Sequence, residues 1–167
     1  MKICVINGNG GCGKDTFIKL CEDISKDLKI INCSTVDPIK NAAKELGWQG
    51  EKSEEARKFL SDLKDLSTKY NNLPFEYVKN TILLCKELYK NNFIIFIHCR
   101  EPEEIQKFVD NFSATTVLID ASRRVKKILT NHADANVNDY CYNYIIDNNG
   151  DLKDLKDAAE VFLKSIE

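Results

Sequence analysis

The stretch of sequence that decides the fold lies near the amino terminus and reads Gly8-Asn9-Gly10-Gly11-Cys12-Gly13-Lys14-Asp15-Thr16. It follows an apolar run at residues 2–7 and precedes a segment in which Phe17, Leu20 and Ile24 recur at helical spacing. A strand, a turn with the pattern G-x-x-x-x-G-K and a helix form the context in which this motif binds phosphate groups. We call residues 8–16 the phosphate loop and expect it to follow the first strand of an α/β sheet.

The glycines of the phosphate loop explain how it would hold an anion. They let the backbone curl until successive N–H groups face one phosphate, and the following helix adds the partial positive charge of its N-terminus. Lys14 is the expected catalytic cation at the β- and γ-phosphates. A glycine-rich turn before a helix is the alternative, but it requires neither Lys14 nor this spacing. The residues expected to bind the nucleotide are Asn9, Gly10, Gly11, Cys12, Gly13, Lys14, Asp15 and Thr16.

The residue after the lysine departs from the common form of the motif. Ser or Thr usually stands at that position and ligates Mg²⁺, whereas this chain has Asp15. We expect Asp15 to hold the metal directly or through water. Thr16 is the second candidate metal residue and is also expected at the α-phosphate. The alternative is that Asp15 only caps the helix, a role worth about 1 kcal/mol.

Composition limits the class of protein. The chain has 167 residues, about one domain's worth, of which 43% are apolar and 30% charged, with a net charge of −2. No basic excess favours nucleic acid or an anionic membrane as a partner. The longest apolar run, residues 93–97, is far shorter than a transmembrane helix of roughly 20 residues, and no signal-peptide pattern is present. We expect one soluble, cytoplasmic domain over residues 1–167; its oligomeric state stays open.

The seven cysteines favour a reducing compartment. Their number is odd, no C-x-x-C pair occurs, and Cys4, Cys85 and Cys99 lie in apolar runs typical of small core residues. With two histidines in the chain, a structural zinc site is not expected. Cys12 is expected to be the most reactive thiol, provided that its side chain is exposed beside Lys14 at the helix N-terminus.

Apolar periodicity predicts the fold class. Residues 2–7, 29–33, 92–98, 115–120 and 143–147 form short runs rich in Ile, Val and Phe, which are typical of parallel strands buried on both faces. Segments with helical spacing separate them, including a charged helix over residues 51–70 and another that starts at Pro74. Alternating strands and helices predict a three-layer α/β fold, in which helices flank a five-stranded parallel sheet.

Further segments follow the phosphate loop in a definite order. They are Asp37-Pro38-Ile39-Lys40, Gly47-Trp48, Arg57, Arg100-Glu101-Pro102-Glu103-Glu104, His132-Ala133-Asp134 and Ile146-Asp147-Asn148-Asn149-Gly150. Together with Gly13-Lys14-Asp15-Thr16, this series resembles the motifs of deoxynucleoside monophosphate kinases of phages and bacteria and of the related phosphomevalonate kinases. Only the phosphate loop is specific alone. The resemblance implies a P-loop kinase that uses ATP and Mg²⁺ and acts on a small phosphorylated acceptor.

The resemblance also implies which residues face the acceptor. Arg57 and Arg100 are expected to clamp its phosphate, because guanidinium groups offer paired N–H donors to such anions, and Arg100 is also a candidate catalytic residue. Asp37 and Lys40 are expected to border the acceptor pocket. Alternatives stay open at two positions. Arg57 could be an exposed helix charge, and Asp37 could be the N-cap of a helix with Pro38 at its first position.

On the donor side the resemblance implies a lid over about residues 122–138. Arg123 and Arg124 open this segment and are candidate catalytic residues, since a lid arginine stabilises charge in the transition state. The alternative is an ordinary basic surface helix, because Lys126 and Lys127 follow.

Two positions complete the expected site. Asn148 resembles a residue of the loop that lies against the donor base, although an ordinary turn would also explain it. The third strand ends in His98-Cys99-Arg100, where the family has Asp-Val-Arg. His98 does not supply the negative charge of that aspartate at pH 7, so a nucleotide-binding module without catalysis is one alternative. A kinase of another phosphate monoester, such as phosphomevalonate or dephospho-coenzyme A, is the other; a nucleoside monophosphate is the first choice of acceptor.

Overall fold

The computed structural model describes residues 1–124, 137 and 139–166. In chain order the elements are β1 (Lys2–Asn7), α1 (Lys14–Ile24), β2 (Lys29–Ser34), α2 (Asp37–Glu45), α3 (Glu54–Asn71), α4 (Leu73–Tyr89), β3 (Phe93–His98), α5 (Pro102–Phe112), β4 (Thr115–Asp120), β5 (Tyr144–Asp147) and α6 (Leu152–Ile166). Each predicted strand is confirmed to within one residue at its ends. The charged helix predicted from residue 51 begins at Glu54, because the Ser53 hydroxyl caps it by accepting the Ala56 N–H at 3.2 Å.

The five strands form one parallel sheet in the order β2-β3-β1-β4-β5. The register pairs Ile6 of β1 and Ser34 of β2 with His98 of β3, so these three strands end at the same level. Because all strands run the same way, their carboxyl ends and the loops that follow them lie along one edge of the sheet, where ligands of open α/β sheets bind.

Helices cover both faces of the sheet, which confirms the three-layer arrangement. Alternate residues of β3 point to opposite faces: Phe96 packs with Phe17 of α1 and Phe162 of α6, while Ile95 packs beneath α4 and α5. The Phe17 and Phe162 rings meet edge to face at a centroid distance of 5.5 Å. β3 is apolar on both faces because it lies in the middle of the sandwich.

The cysteines divide into one exposed and six buried residues, and all seven are free thiols. Cys4, Cys85 and Cys99 belong to the two apolar clusters, as their sequence context predicts. Within the ranges that the structure describes, no helix is both long enough and apolar enough to cross a bilayer.

Candidate functional site

A cavity of about 1390 Å³ opens at the carboxyl edge of the sheet. The phosphate loop forms one wall, α3 the opposite wall, and the chain segments after β2 and β3 lie between them. The walls carry both acidic and basic side chains. The basic ones include Lys14 on the phosphate loop, Arg57 on α3 and Arg100 after β3. The structure therefore brings the expected donor-side lysine and both expected acceptor-side arginines to one cavity.

Glycine is required at both ends of the tight part of the phosphate loop. Gly8 has a φ of 146°, and a Cβ there would lie 2.6 Å from both Cys12 Sγ and the Ile119 carbonyl oxygen. Gly13 has a φ of 98°, and a Cβ at that residue would overlap the side-chain amide of Asn148. Any larger residue would push the loop off the sheet edge.

The ammonium of Lys14 is held inside the phosphate loop. Its Nζ donates hydrogen bonds to the carbonyl oxygens of Gly8 at 2.7 Å and Asn9 at 3.0 Å. Burial, with the charge of Arg100 as a smaller cause, lowers the pKa of Lys14, while nearby Cys12 raises it. Arg100 is therefore close enough to Lys14 for their charges to interact across the cavity.

Cys12 faces the interior, so the exposure on which its expected reactivity depended is not met. The side chain is 1% exposed and belongs to the apolar cluster of α1 and α6, with its Sγ 3.6 Å from Lys14 Nζ. Asn148 lies directly behind it: the side-chain amide of Asn148 donates to the Cys12 carbonyl at 2.7 Å. Asn148 is buried and supports the loop from below, while its contact with a donor base stays a prediction.

Asn7, which the sequence analysis did not identify, connects the loop to two other segments. Its Oδ1 accepts the Gly8 N–H at 2.7 Å, and its Nδ2 donates to the Arg100 carbonyl at 3.3 Å and to the Tyr142 hydroxyl at 2.7 Å. That hydroxyl donates in turn to the Val137 carbonyl, and burial raises the pKa of Tyr142 to about 12. The sign of Asn7 in the sequence is its position: it is a polar amide residue at the end of an apolar run, directly before the glycines.

The predicted acceptor residues line the cavity. Asp37 Oδ2 accepts the Ser34 N–H at 2.7 Å, and the N-cap of α2 is Val36, so the alternative of Asp37 as N-cap is wrong. Lys40 is exposed on the first turns of the same helix. Arg57 is exposed on α3, and Arg100 is half-buried after β3.

A largely buried ion pair ties α3 to α5 inside this cavity. Lys64 Nζ lies 2.8 Å from Glu104 Oε2, with 16% and 13% of the two side chains exposed. The Cys99 thiol donates to the same carboxylate oxygen at 3.5 Å, and burial raises the pKa of Cys99 well above its usual range. Glu104 belongs to the motif that follows β3, but Lys64 was not predicted, because a lysine on a charged helix gives no sign in sequence of a partner on another helix.

Asp15 and His98, the two departures from the expected pattern, face each other. Asp15 is exposed at the start of α1, and its Oδ1 lies 3.5 Å from Asn32 Nδ2 and 3.6 Å from His98 Nε2. Burial is the main cause that lowers the pKa of His98, and Asp15 opposes it. Thr16 is exposed on the same turn but does not line the cavity.

The donor-side arginines lie at the edge of the described chain. Arg123 donates from Nη2 to Asp147 Oδ2 at 2.8 Å, and Arg124 donates from Nη1 to the Gly150 carbonyl at 3.4 Å. The two guanidinium groups therefore contact the end of β5 and the loop that follows it, and their catalytic role stays a prediction. Most of the predicted lid, including the segment 132–134, lies outside the described residues.

The donor groups at the loop fit Mg²⁺ delivered with a nucleotide. Over residues 1–124, 137 and 139–166, no group of three or more His, Cys, Asp and Glu side chains could enclose a metal. Mg²⁺ is usually bound through one or two carboxylates together with substrate phosphates, so a protein cage is not required. The exposed Asp15 carboxylate, with the Thr16 hydroxyl on the next residue, offers oxygen ligands of that kind.

The chain resembles known proteins in its fold but not in its sequence. No protein-family model matches the sequence, and no curated protein matches it. The chain is similar to TT1252 from Thermus thermophilus, with a TM-score of 0.53 at 20% identity over 99% of this chain and 98% of that one. It is also similar to dephospho-CoA kinase from Campylobacter jejuni (TM-score 0.49, 17% identity, covering 99% and 97%) and to the APS kinase CysC of Mycobacterium tuberculosis (0.46, 12%, 99% and 97%). At 20% identity the first likeness shows the fold alone: the chain has a three-layer α/β P-loop fold.

Proposed function

We propose that this chain is an ATP-dependent phosphotransferase, which moves the γ-phosphoryl group of ATP to a small phosphorylated acceptor. The observation that carries the proposal is the single cavity lined by Lys14, Arg57 and Arg100. Phosphoryl transfer requires two phosphates to be held in line and the charge of the moving group to be neutralised. A phosphate loop on one wall, Arg57 on the opposite wall and Arg100 between the two walls meet both requirements.

On the donor side, the backbone N–H groups of the phosphate loop bind the phosphates of ATP. Lys14 leaves the carbonyl oxygens of Gly8 and Asn9 and reaches the β- and γ-phosphates, a movement of one side chain. Asp15 and Thr16 would hold the Mg²⁺ that accompanies the nucleotide phosphates. Bound Mg²⁺ supplies charge neutralisation between the phosphate groups.

On the acceptor side, Arg57 and Arg100 bind the acceptor phosphate and Arg100 also faces the moving group. Arg100 lines the same cavity as Lys14, which suits a residue that contacts both substrates. Asp37 and Lys40 border the remainder of the acceptor. Arg123 and Arg124, which follow β4 and contact Asp147 and Gly150, close the donor side.

A nucleoside monophosphate is our first choice of acceptor, on the resemblance of the ordered motifs. One observation favours a second candidate, a phosphate monoester without a nucleobase. Among the described residues that line the cavity there is no Phe, Tyr or Trp, and residues 125–136 and 138 contain none in sequence. Proteins that bind unpaired bases commonly stack them on aromatic rings. The polar lining therefore suits an aliphatic acceptor of the phosphomevalonate class.

The test is ADP formation from Mg-ATP over an acceptor panel. The panel holds ribo- and deoxyribonucleoside monophosphates, phosphomevalonate and dephospho-coenzyme A, with ATP alone as the blank. We expect one class of acceptor to raise the rate above the blank. Tight Mg-ATP binding with no acceptor-dependent rate would instead support a nucleotide-binding module without catalysis.

The seven free thiols support the cytoplasm as the compartment in which the protein acts.

A further inference from the structure

The structure joins two positions that look unrelated in the sequence. Asp15 stands where the phosphate loop usually has a hydroxyl, and His98 stands where the resembling kinases end β3 in aspartate. His98 pairs in register with Ile6, the residue before Asn7, so its side chain lies beside the start of the phosphate loop. The Asp15 Oδ1 to His98 Nε2 distance is 3.6 Å.

We propose that His98 is a positioning residue, which holds the Asp15 carboxylate in place for the Mg²⁺ of the bound nucleotide. This inference rests on the proposed function, since it concerns the same site. In this chain the carboxylate at the metal side lies on α1 rather than at the end of β3. The imidazole at the end of β3 acts on the metal through that carboxylate.

The polar atoms around the pair support this assignment. His98 Nε2 is buried and has no hydrogen-bond partner within the part of the chain that the structure describes. Buried polar atoms in folded proteins are nearly always paired, so an unpaired one requires an explanation. Asp15 Oδ1, which lies 3.6 Å from this nitrogen, belongs to a side chain that is 87% exposed and therefore not held in place by packing. A small rotation about the Asp15 side chain brings the two atoms within hydrogen-bond distance.

The second donor at Asp15 fixes which oxygen remains for the metal. Asn32 Nδ2, on the neighbouring strand β2, lies 3.5 Å from the same Oδ1 that faces His98. Neither contact involves Oδ2. Two donors on Oδ1 leave Oδ2 as the oxygen offered to the metal, which is how outer groups commonly orient a metal-binding carboxylate.

His98 itself is a poor candidate for direct metal binding. Mg²⁺ prefers oxygen ligands, and imidazole nitrogen suits zinc, copper, iron and nickel instead. The imidazole is also largely enclosed, with 19% of the side chain exposed against 87% for Asp15. The exposed carboxylate meets the nucleotide, and the enclosed imidazole meets the carboxylate.

Two substitutions separate positioning from packing. His98→Gln keeps a side-chain N–H donor near the place of Nε2, and His98→Met fills similar space without one. The measurement is the affinity for a fluorescent ATP analogue, titrated with and without Mg²⁺, which requires no acceptor and no turnover. Thermal unfolding of both variants checks that they are folded.

We expect His98→Met to raise the Mg²⁺ concentration needed for tight nucleotide binding by about tenfold, the lower end of the range for groups that orient metal ligands. The metal-free affinity should stay unchanged, and His98→Gln should lie within about twofold of the natural protein. Equal Mg²⁺ dependence in the natural protein and both variants would overturn the inference alone. If the natural protein bound no nucleotide at any Mg²⁺ concentration, the proposed function would fail and the inference with it.

Discussion

The side-chain amide of Asn148 donates a 2.7 Å hydrogen bond to the carbonyl oxygen of Cys12, although 136 residues separate them in sequence. The backbone N–H of Asn148 donates to Asp120 at the end of β4 at the same distance. One buried residue thus fastens the phosphate loop to the carboxyl end of the neighbouring strand β4. The shape of the loop depends on a residue that precedes α6.

Asn148→Ala should therefore loosen the phosphate loop. The substitution leaves the buried Cys12 carbonyl without its donor, a loss of about 1–3 kcal/mol in the free energy of unfolding, and it should weaken nucleotide binding as well. Urea unfolding and titration of a fluorescent ATP analogue measure the two effects. Asn111→Ala, which removes an exposed amide on α5, is the matched control and should change neither. Equal behaviour of the two variants would contradict the support role.

Substitutions of Lys64 and Lys58, which both lie on α3, compare a largely buried ion pair with an exposed one. Lys64→Met breaks a largely buried pair with Glu104 and should lower the free energy of unfolding by about 3 kcal/mol, because it leaves an uncompensated carboxylate. Lys58→Met breaks an exposed pair with Asp62 of 2.7 Å and should cost less than about 1 kcal/mol. Urea unfolding of both variants gives the comparison. Similar losses for the two would show that burial of the Lys64 pair has no energetic weight.

Thiol labelling should select Cys141 and spare Cys12. Cys141 is the exposed cysteine, whereas Cys12 is 1% exposed beneath the phosphate loop. A limiting dose of iodoacetamide, followed by peptide mass spectrometry, measures the order of reaction, and urea-unfolded protein supplies the control in which all seven react. Labelling of Cys12 as fast as Cys141 in the folded protein would mean that the loop opens readily.

Alkaline pH should destabilise the protein through its buried thiols. Burial raises the pKa of Cys4, Cys21 and Cys33 from 9.0 to about 12. Above pH 9 the unfolded chain loses these protons while the folded chain keeps them, so the stabilisation is complete below pH 9 and is lost as pH rises towards 12. At pH 10 each of these thiols should lower the free energy of unfolding by roughly 1 kcal/mol relative to neutral pH.

Urea unfolding under strong reductant at pH 7.5, 9 and 10 measures this loss. Cys21→Ala removes one of the three thiols and should reduce the fall between pH 9 and pH 10, although it lowers stability at pH 7.5 by creating a cavity. An unfolding free energy that stays constant from pH 8 to pH 10 would contradict the burial of these thiols.

The fold was predictable because its signals are local. The strands of a fully covered parallel sheet are continuous apolar runs, and the phosphate loop marks the junction of β1 and α1. Ser53 moved the start of α3 by three residues from the expected position, since a cap decides a helix end more sharply than a charged stretch does. The capping alternative for Asp37 failed because its carboxylate turns back to the Ser34 N–H.

The site was predictable only in part, because its contacts join distant segments. Lys14, Arg57 and Arg100 were recognisable from motifs, whereas the ion pair of Lys64 with Glu104 spans 40 residues and left no sign in sequence. The burial of Cys12 was not predictable either, because it also depends on contacts with distant segments. Its neighbours in sequence are glycines, which suggest an open loop, but packing on the apolar cluster of α1 and α6 determines where the thiol points.

The central claim is most directly tested by the rate of acceptor-dependent ADP formation in the natural protein and in Lys14→Ala. Lys14 contacts carbonyl oxygens of its own loop and is absent from both apolar clusters, so the variant should stay folded, which thermal unfolding checks. We predict a rate at least about 100-fold lower in Lys14→Ala, in the range for removing a group that stabilises transition-state charge. An unchanged rate in the folded variant would contradict phosphoryl transfer at this loop.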